Sequence, residues 1–221
     1  GKTLRVGREG RKKIFHTVTM NKIKTVIFDA GGVLHEGNVA VTEDLTSELN
    51  ISREVLSQIW AEEIPLLGLG EIDESEFWRR VSEKHQLRNI SPDENLLGRA
   101  FIEHLVPFVE VQKLVKDLGG FGVKTAVLSN TIEPHAKALR EAGLYDGFDE
   151  VLLSHEIGLR KPSSKIYEYA LDVLRANPQT TIFIDDDPQN TQAASQLGIH
   201  SVTFVNPEQL KRDLKQHIPG L

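Results

Sequence analysis

The chain has 221 residues, 39% hydrophobic and 26% charged, which suits one large soluble domain or one domain carrying a smaller insertion. No apolar run approaches the ~18 residues of a membrane span, and the absence of cysteine excludes disulfides, thiolate metal sites and a thiol nucleophile. Net charge is −6, yet Lys2, Arg5, Arg8, Arg11, Lys12 and Lys13 against Glu9 put +5 into the first 20 residues and leave −11 for the rest. So acidic a body excludes nucleic acid as the main partner. With no apolar signal segment, these features point to a cytoplasmic protein that does not engage membranes.

Met20 is the only methionine and stands just before the first apolar run, as a start would. Residues 1–20 are therefore expected to be a non-native or disordered extension. Beyond them, short apolar runs alternate with amphipathic ones. Strands are predicted at Lys24–Asp29, Lys124–Ser129, Glu150–Ser154, Thr181–Asp185 and Ser201–Val205, each nearly continuous in Val, Ile, Leu and Phe, the pattern of parallel strands covered on both faces. Helices are predicted between them, over about Val109–Leu118, Glu133–Ala142, Lys165–Arg175, Pro188–Leu197 and Pro207–Gln216. Asn206-Pro207-Glu208-Gln209 supplies an N-cap, a proline at N1 and a glutamine at N3, and Gly143 and Gly198 stand where helices should stop.

Residues 36–106 break the alternation. They contain no clear strand and read as helices over about Thr42–Leu49, Ser52–Glu63, Glu74–His85 and Pro92–His104, the last opened by the capping box Ser91-Pro92-Asp93-Glu94. The expected fold is α/β, a Rossmann-like parallel sheet core over residues 21–35 and 107–221 with an all-helical cap inserted at 36–106.

Ligands of open α/β sheets bind at the carboxyl ends of the strands. Those ends carry Asp29, Ser129-Asn130 and Asp185-Asp186-Asp187, with Lys161-Pro162 after the third strand. Each has a plain reading. Asp29 is an acid before a glycine turn; it is no ribose-binding acid, because no G-x-G-x-x-G precedes it and Gly68-Leu69-Gly70 fails the pattern. Asp185, Asp186 and Asp187 form either a solvated acidic turn ahead of Pro188 or a hard oxygen site suited to Mg²⁺. Ser129 and Asn130 are a turn or a phosphate cradle. Lys161 is a solvated loop lysine unless it points inward, where it would neutralise an acid and a phosphate together.

The order of the four elements is more specific than any one of them. Asp-x-x-Gly-Val-Leu from Asp29, Leu-Ser-Asn-Thr from Leu128, Gly-Leu-Arg-Lys-Pro-Ser from Gly158, and Phe-Ile-Asp-Asp-Asp-Pro-Gln-Asn from Phe183 resemble the haloacid dehalogenase-like hydrolase superfamily. The resemblance runs from residue 22 to about 205 and is to the branch with a helical cap after the first motif. It implies a Mg²⁺-dependent phosphatase of small phosphorylated metabolites. Asp29 would be the nucleophile that forms an aspartyl-phosphate. Asp29, the Gly31 carbonyl and Asp186 would hold Mg²⁺, with Asp185 direct or through water. Ser129 and backbone amides near Asn130 would hold phosphoryl oxygens, and Lys161 would neutralise charge. Asp187 and Asn190 would stand behind the metal ligands.

Gly31 departs from the pattern. Phosphatases of the superfamily mostly carry a second aspartate there as general acid and base, a role worth roughly 10²–10⁴-fold. Without it the enzyme is slow or prefers leaving groups that need little protonation, such as anomeric or phenolic oxygens; or His35 or Glu36 substitutes; or the protein is a non-catalytic phosphate- and metal-binding regulator. Members with a similar Asp-x-Gly-Gly form include phosphatases of sugar 1-phosphates, so the enzyme reading is kept. Dehalogenation ranks below it, because dehalogenases use no metal and the Asp185-Asp186 pair then has no purpose. Phosphonate cleavage needs a Schiff-base lysine in the cap, and Lys84, the only lysine there, reads as an exposed helix end. Trp60, Phe77 and Trp78 read as core, and Glu62 and Glu63 as a solvated face.

Overall fold

Thr25-Val26-Ile27-Phe28 is apolar on both faces, so it is stable only where helices cover it from both sides. In the computed structural model, which describes residues 5–6, 12–13, 22–37, 39–87 and 95–221, it forms β1 (Thr25–Phe28), buried along its length at the centre of a five-stranded parallel sheet. The other strands are β2 (Lys124–Ser129), β3 (Glu150–Leu153), β4 (Thr181–Asp185) and β5 (His200–Thr203), in the order β3-β2-β1-β4-β5. This is the Rossmann-like arrangement, with the strand order reversing beside β1. A two-residue antiparallel pair, Arg5–Val6 with Lys12–Lys13, lies upstream. The rest of the 1–20 segment, and the box Ser91-Pro92-Asp93-Glu94, lie outside the described residues.

In chain order the helices are α1 (Val39–Leu49), α2 (Arg53–Gly68), α3 (Glu74–His85), α4 (Leu96–Glu103), α5 (Val109–Gly120), α6 (Glu133–Glu141), α7 (Ser154–Ile157), α8 (Ser164–Leu174), α9 (Pro188–Gln196) and α10 (Pro207–His217). Alternate strand residues point to opposite faces. Val26, Phe28, Val127 and Ile184 pack with Leu118 of α5, Leu139 of α6 and Leu214 of α10. Ile27, Leu128 and Phe183 pack with Ile166 and Tyr167 of α8 and Ala194 of α9. Helices α1–α4, all between β1 and α5, share a third apolar cluster of Leu45, Leu56, Ile59, Phe77, Trp78 and Leu97, which Ile132 joins from the end of β2.

Among the boundaries that differ from the sequence expectation, three have a local reason. α2 does not stop before Pro65 but continues to Gly68, because a proline in the last turn forfeits one backbone bond while Leu67 gains full burial. β5 ends at Thr203 rather than Val205, because the Val205 N–H donates to Gln209 Oε1 at 3.0 Å, completing the cap of α10 in which Asn206 Oδ1 accepts from the Gln209 N–H at 2.8 Å. Ser154 opens the short α7 instead of ending β3. Gly143 and Gly198 terminate their helices at φ +72° and +82°, where a Cβ would be strained.

Candidate active site

β1 and β4 run side by side in register, Phe28 opposite Ile184, and the Asp29 N–H extends the ladder to the Ile184 carbonyl at 2.8 Å. Asp29 and Asp185 therefore leave neighbouring strands at the same level. Lys161 sits between them. Its Nζ lies 2.8 Å from Asp29 Oδ1 and 2.5 Å from Asp185 Oδ2, and it stands 5.5 Å from the centroid of the Phe183 ring. The lysine is 2% exposed, so it points inward.

Asn130 aims it. The Lys161 N–H donates to Asn130 Oδ1 at 2.8 Å and the Asn130 side-chain amide donates to the Lys161 carbonyl at 2.9 Å, a two-point clamp on the lysine backbone. The peptide that follows, Lys161-Pro162, is cis. The side chain of Asn130 is thus committed to the lysine. Beside it, the Ser129 hydroxyl takes no hydrogen bond among the described residues, although Ser129 is buried.

The three consecutive aspartates have three environments. Asp185 is fully buried and its oxygens are taken: Oδ1 accepts from the Asp187 N–H at 2.9 Å and the Asn190 amide at 3.0 Å, and Oδ2 from Lys161 and from the same amide at 3.1 Å. Asp187 is the N-cap of α9, accepting from the Gln189 N–H at 2.8 Å. Asp186 is exposed, and its carboxylate lies over the loop after β1: a Cβ on Gly32, at φ +72°, would come within 2.3 Å of Asp186 Oδ2. Gly32 is required by that approach and by its backbone. Gly31 is not crowded at all; a Cβ there meets nothing within 4 Å.

Asp29, Asp185 and Asp186 each offer an oxygen, all within 4.8 Å of one another. Burial pushes the Asp29 carboxyl up to about 6 against the pull of the Lys161 ammonium, and the Asp185 charge adds to the rise. Burial, then Asp185, raises Asp186 as well. Three carboxylates share one lysine, so the cluster lacks positive charge. That deficit is what a divalent cation corrects.

His35 is buried, with its Nδ1 2.7 Å from the Glu36 carbonyl and its ring edge-on to Phe101 at 5.4 Å. Burial lowers its pKa, so it is a neutral imidazole. Glu36 is exposed. Lys84 pairs with Glu62, and Glu63, read from the sequence as solvated, is 14% exposed and 3.7 Å from Arg80. Phe77 and Trp78 are fully buried, as core reading expects, with Trp60 packed against them.

The model of the haloacid dehalogenase-like hydrolase family matches residues 23–198. The chain is 27% identical over 196 residues to a sesquiterpene phosphatase, astK, of Aspergillus oryzae, covering 87% of this chain and 95% of that one. It is 24% identical over 194 residues to (S)-2-haloacid dehalogenase 4A of Burkholderia cepacia, 83% of each chain. Among solved structures it resembles HAD family enzyme bt-2542 of Bacteroides thetaiotaomicron, crystallised with magnesium and inorganic phosphate, at TM-score 0.71 and 23% identity over 83% of this chain and 95% of that one.

Proposed function

Because the chain belongs to the haloacid dehalogenase-like hydrolase family, we propose that it is a Mg²⁺-dependent phosphatase of small phosphorylated metabolites, working through an aspartyl-phosphate on Asp29. The observation that carries this reading is the charge balance of the strand ends. Asp29, Asp185 and Asp186 converge within 4.8 Å with one lysine among them. Such a cluster fits a hard divalent cation. Asp29 and the exposed Asp186 would hold it with the Gly31 carbonyl, while Asp185, whose oxygens already accept from Lys161, Asn190 and Asp187, would act through water. Bound there, Mg²⁺ supplies charge screening between the carboxylates and a phosphoryl group.

The protein's own residues do the rest. The Asp29 carboxylate attacks phosphorus as the ester P–O bond breaks, and water then cleaves the acyl-phosphate, freeing Asp29 and inorganic phosphate. The Ser129 hydroxyl and the backbone at Asn130 hold phosphoryl oxygens. Lys161, clamped by Asn130, holds the nucleophile in place and offsets charge. Helices α1–α4 act as the cap that shields the site from water and selects the substrate. With no side chain at Gly31 and a neutral His35, the leaving oxygen departs as an anion or takes its proton from water, which favours anomeric and phenolic esters. The phosphatase astK and the phosphate complex of the bt-2542 enzyme support this reading. The chain's lack of cysteine fits a cytoplasmic setting.

Gly31 also favours a second reading, a binding protein that retains the cradle without turnover. Dehalogenation, the activity named for the Burkholderia relative, leaves the exposed Asp186 without a counter-charge, although Asp185 would still anchor Lys161. Hydrolysis of p-nitrophenyl phosphate with and without Mg²⁺, on the native protein and Asp29→Asn, separates them. Metal-dependent turnover lost in Asp29→Asn is expected. Metal binding with no turnover of phenolic or sugar phosphates would leave the binding protein, and turnover of a 2-haloacid without metal would leave the dehalogenase.

A further inference from the structure

A cavity of about 160 Å³ opens between α2 and the ends of β2 and β3. Ile64 and Gly68 form its α2 side; Asn130, Thr131, His135 and Arg160 line the sheet side. It shares Asn130 with the site above, and Arg160 directly precedes Lys161. The two basic residues therefore start about 3.8 Å apart at Cα, one aimed at Asp29 and the other lining the cavity.

Three features give this cavity an electrostatic character. None of its lining residues is acidic, in a chain with 32 acids and 26 basic residues. Arg160 is exposed and, like Arg175, has no acidic partner among the described residues, whereas Arg53, Arg79, Arg80, Arg99, Arg140 and Arg212 each have one. His135 Nε2 is shielded from solvent and has no hydrogen-bond partner, with its ring stacked 4.2 Å from Phe101. A shielded, unsatisfied nitrogen is costly unless something brought to the site satisfies it. The Ser154 hydroxyl, by contrast, is engaged in both directions with the Thr131 backbone. What the cavity offers is the Arg160 guanidinium as a donor, with no acidic residue in the lining to accept from it.

We propose that the cavity holds a second acidic group of the substrate, a carboxylate or a phosphate, on the Arg160 guanidinium, with the unpartnered His135 ring nitrogen beside it. Resting on the phosphatase reading, this narrows the substrate to a phosphate monoester that carries another acid a few atoms from the phosphoryl group. The volume suits such a group: a cavity of about 150 Å³ holds a benzene-sized molecule. Arginine suits both anions, because its planar fork meets either one bidentately.

The test is calorimetric titration of the Mg²⁺-loaded protein with three phosphonates of one length: propylphosphonate, 3-phosphonopropionate and propane-1,3-diphosphonate. A second acid held by arginine should tighten binding by about tenfold or more over propylphosphonate, and Arg160→Gln should remove most of that preference. Preference for 3-phosphonopropionate assigns a carboxylate; preference for the diphosphonate assigns a phosphate. Equal binding of all three by the native protein, or a preference that survives Arg160→Gln, would overturn the proposal. Turnover of p-nitrophenyl phosphate, of sugar phosphates and of phosphorylated carboxylic acids is measured alongside. Turnover without diacid preference defeats this inference alone, and an Arg160-dependent preference without any turnover defeats the phosphatase reading while the acid subsite stands.

Discussion

The strand ends and the helices that follow β1 border the same cavity and are held together in different ways. At the strand ends, buried charge is balanced by geometry: Lys161 lies between Asp29 and Asp185, with Asn130 and Asn190 fixing the two sides. Across the cavity, α1–α4 are held by an apolar cluster in which Phe77 meets Trp78 at 4.8 Å and Trp60 at 6.2 Å. The first region should therefore respond to ions more than to volume, and the second the reverse. Chemistry wants fixed charge, and substrate choice wants a surface that changes without disturbing it.

Two substitutions of similar size test that contrast. Lys161→Met removes the cation between two buried carboxylates and should cost about 3–5 kcal/mol. Phe77→Ala hollows the helical cluster and should also cost about 3–5 kcal/mol. Their responses to Mg²⁺ should differ. Mg²⁺ should restore part of the loss in Lys161→Met, because binding to the folded state stabilises it by mass action, and should add no more to Phe77→Ala than to the native protein. Urea midpoints with and without Mg²⁺ measure both. Both tryptophans lie in α2 and α3, so their fluorescence follows the helical cluster, while backbone hydrogen exchange follows the sheet. Equal Mg²⁺ responses in the two variants would break the contrast.

Gly31→Asp sharpens it from within the charged region. Nothing lies within 4 Å of the new Cβ, so the change should be tolerated, and it sets an acid two residues after Asp29. Hydrolysis of alkyl phosphates should rise by about 10²-fold, the lower end of what a positioned general acid contributes. Phenolic phosphates, whose leaving oxygen needs no proton, should gain much less. A uniform gain on both ester types would mean that protonation is not what Gly31 withholds.

The charged region was the more legible in the sequence, because its parts lie in short segments at strand ends. Asp29, Ser129 and Asp185 sit where an apolar run stops, and β2 and β4 begin and end at the predicted residues. What escaped were relations between segments. The Asn130–Lys161 clamp joins residues 31 apart, and no spacing rule announces it, so Asn130 read as a turn or as part of a phosphate cradle. Asp185 and Asp186 are the same residue type side by side, and only the fold buries one and exposes the other. Arg160 read as part of a lysine motif, and nothing in the sequence marks His135, because their meaning comes from a cavity wall. In the helical region, composition revealed helices and aromatic core, but the passage of α2 through Pro65 depended on packing that local rules do not contain.

The smallest expected effect lies at the seam of the two regions. His135 belongs to α6 and stacks on Phe101 of α4. Burial holds its imidazole down to about 3, with a further contribution from His35. In the unfolded chain it titrates near 6.5. Above that pH both states are neutral and the residue contributes no pH dependence. Between about 6.5 and 3 the unfolded state takes up a proton that the folded state refuses, so stability falls as pH falls. One such group gives at most about 1.4 kcal/mol per pH unit. His135→Gln should flatten the slope of folding stability over that window and leave the plateau above pH 7 without a slope, as measured by urea unfolding in metal-free buffer. The neighbours that share the environment are His35, itself held neutral by burial, and Phe101, which does not titrate. An unchanged acid slope in His135→Gln would mean that the imidazole charges in place, and the stack between α4 and α6 would then have to open to admit the proton.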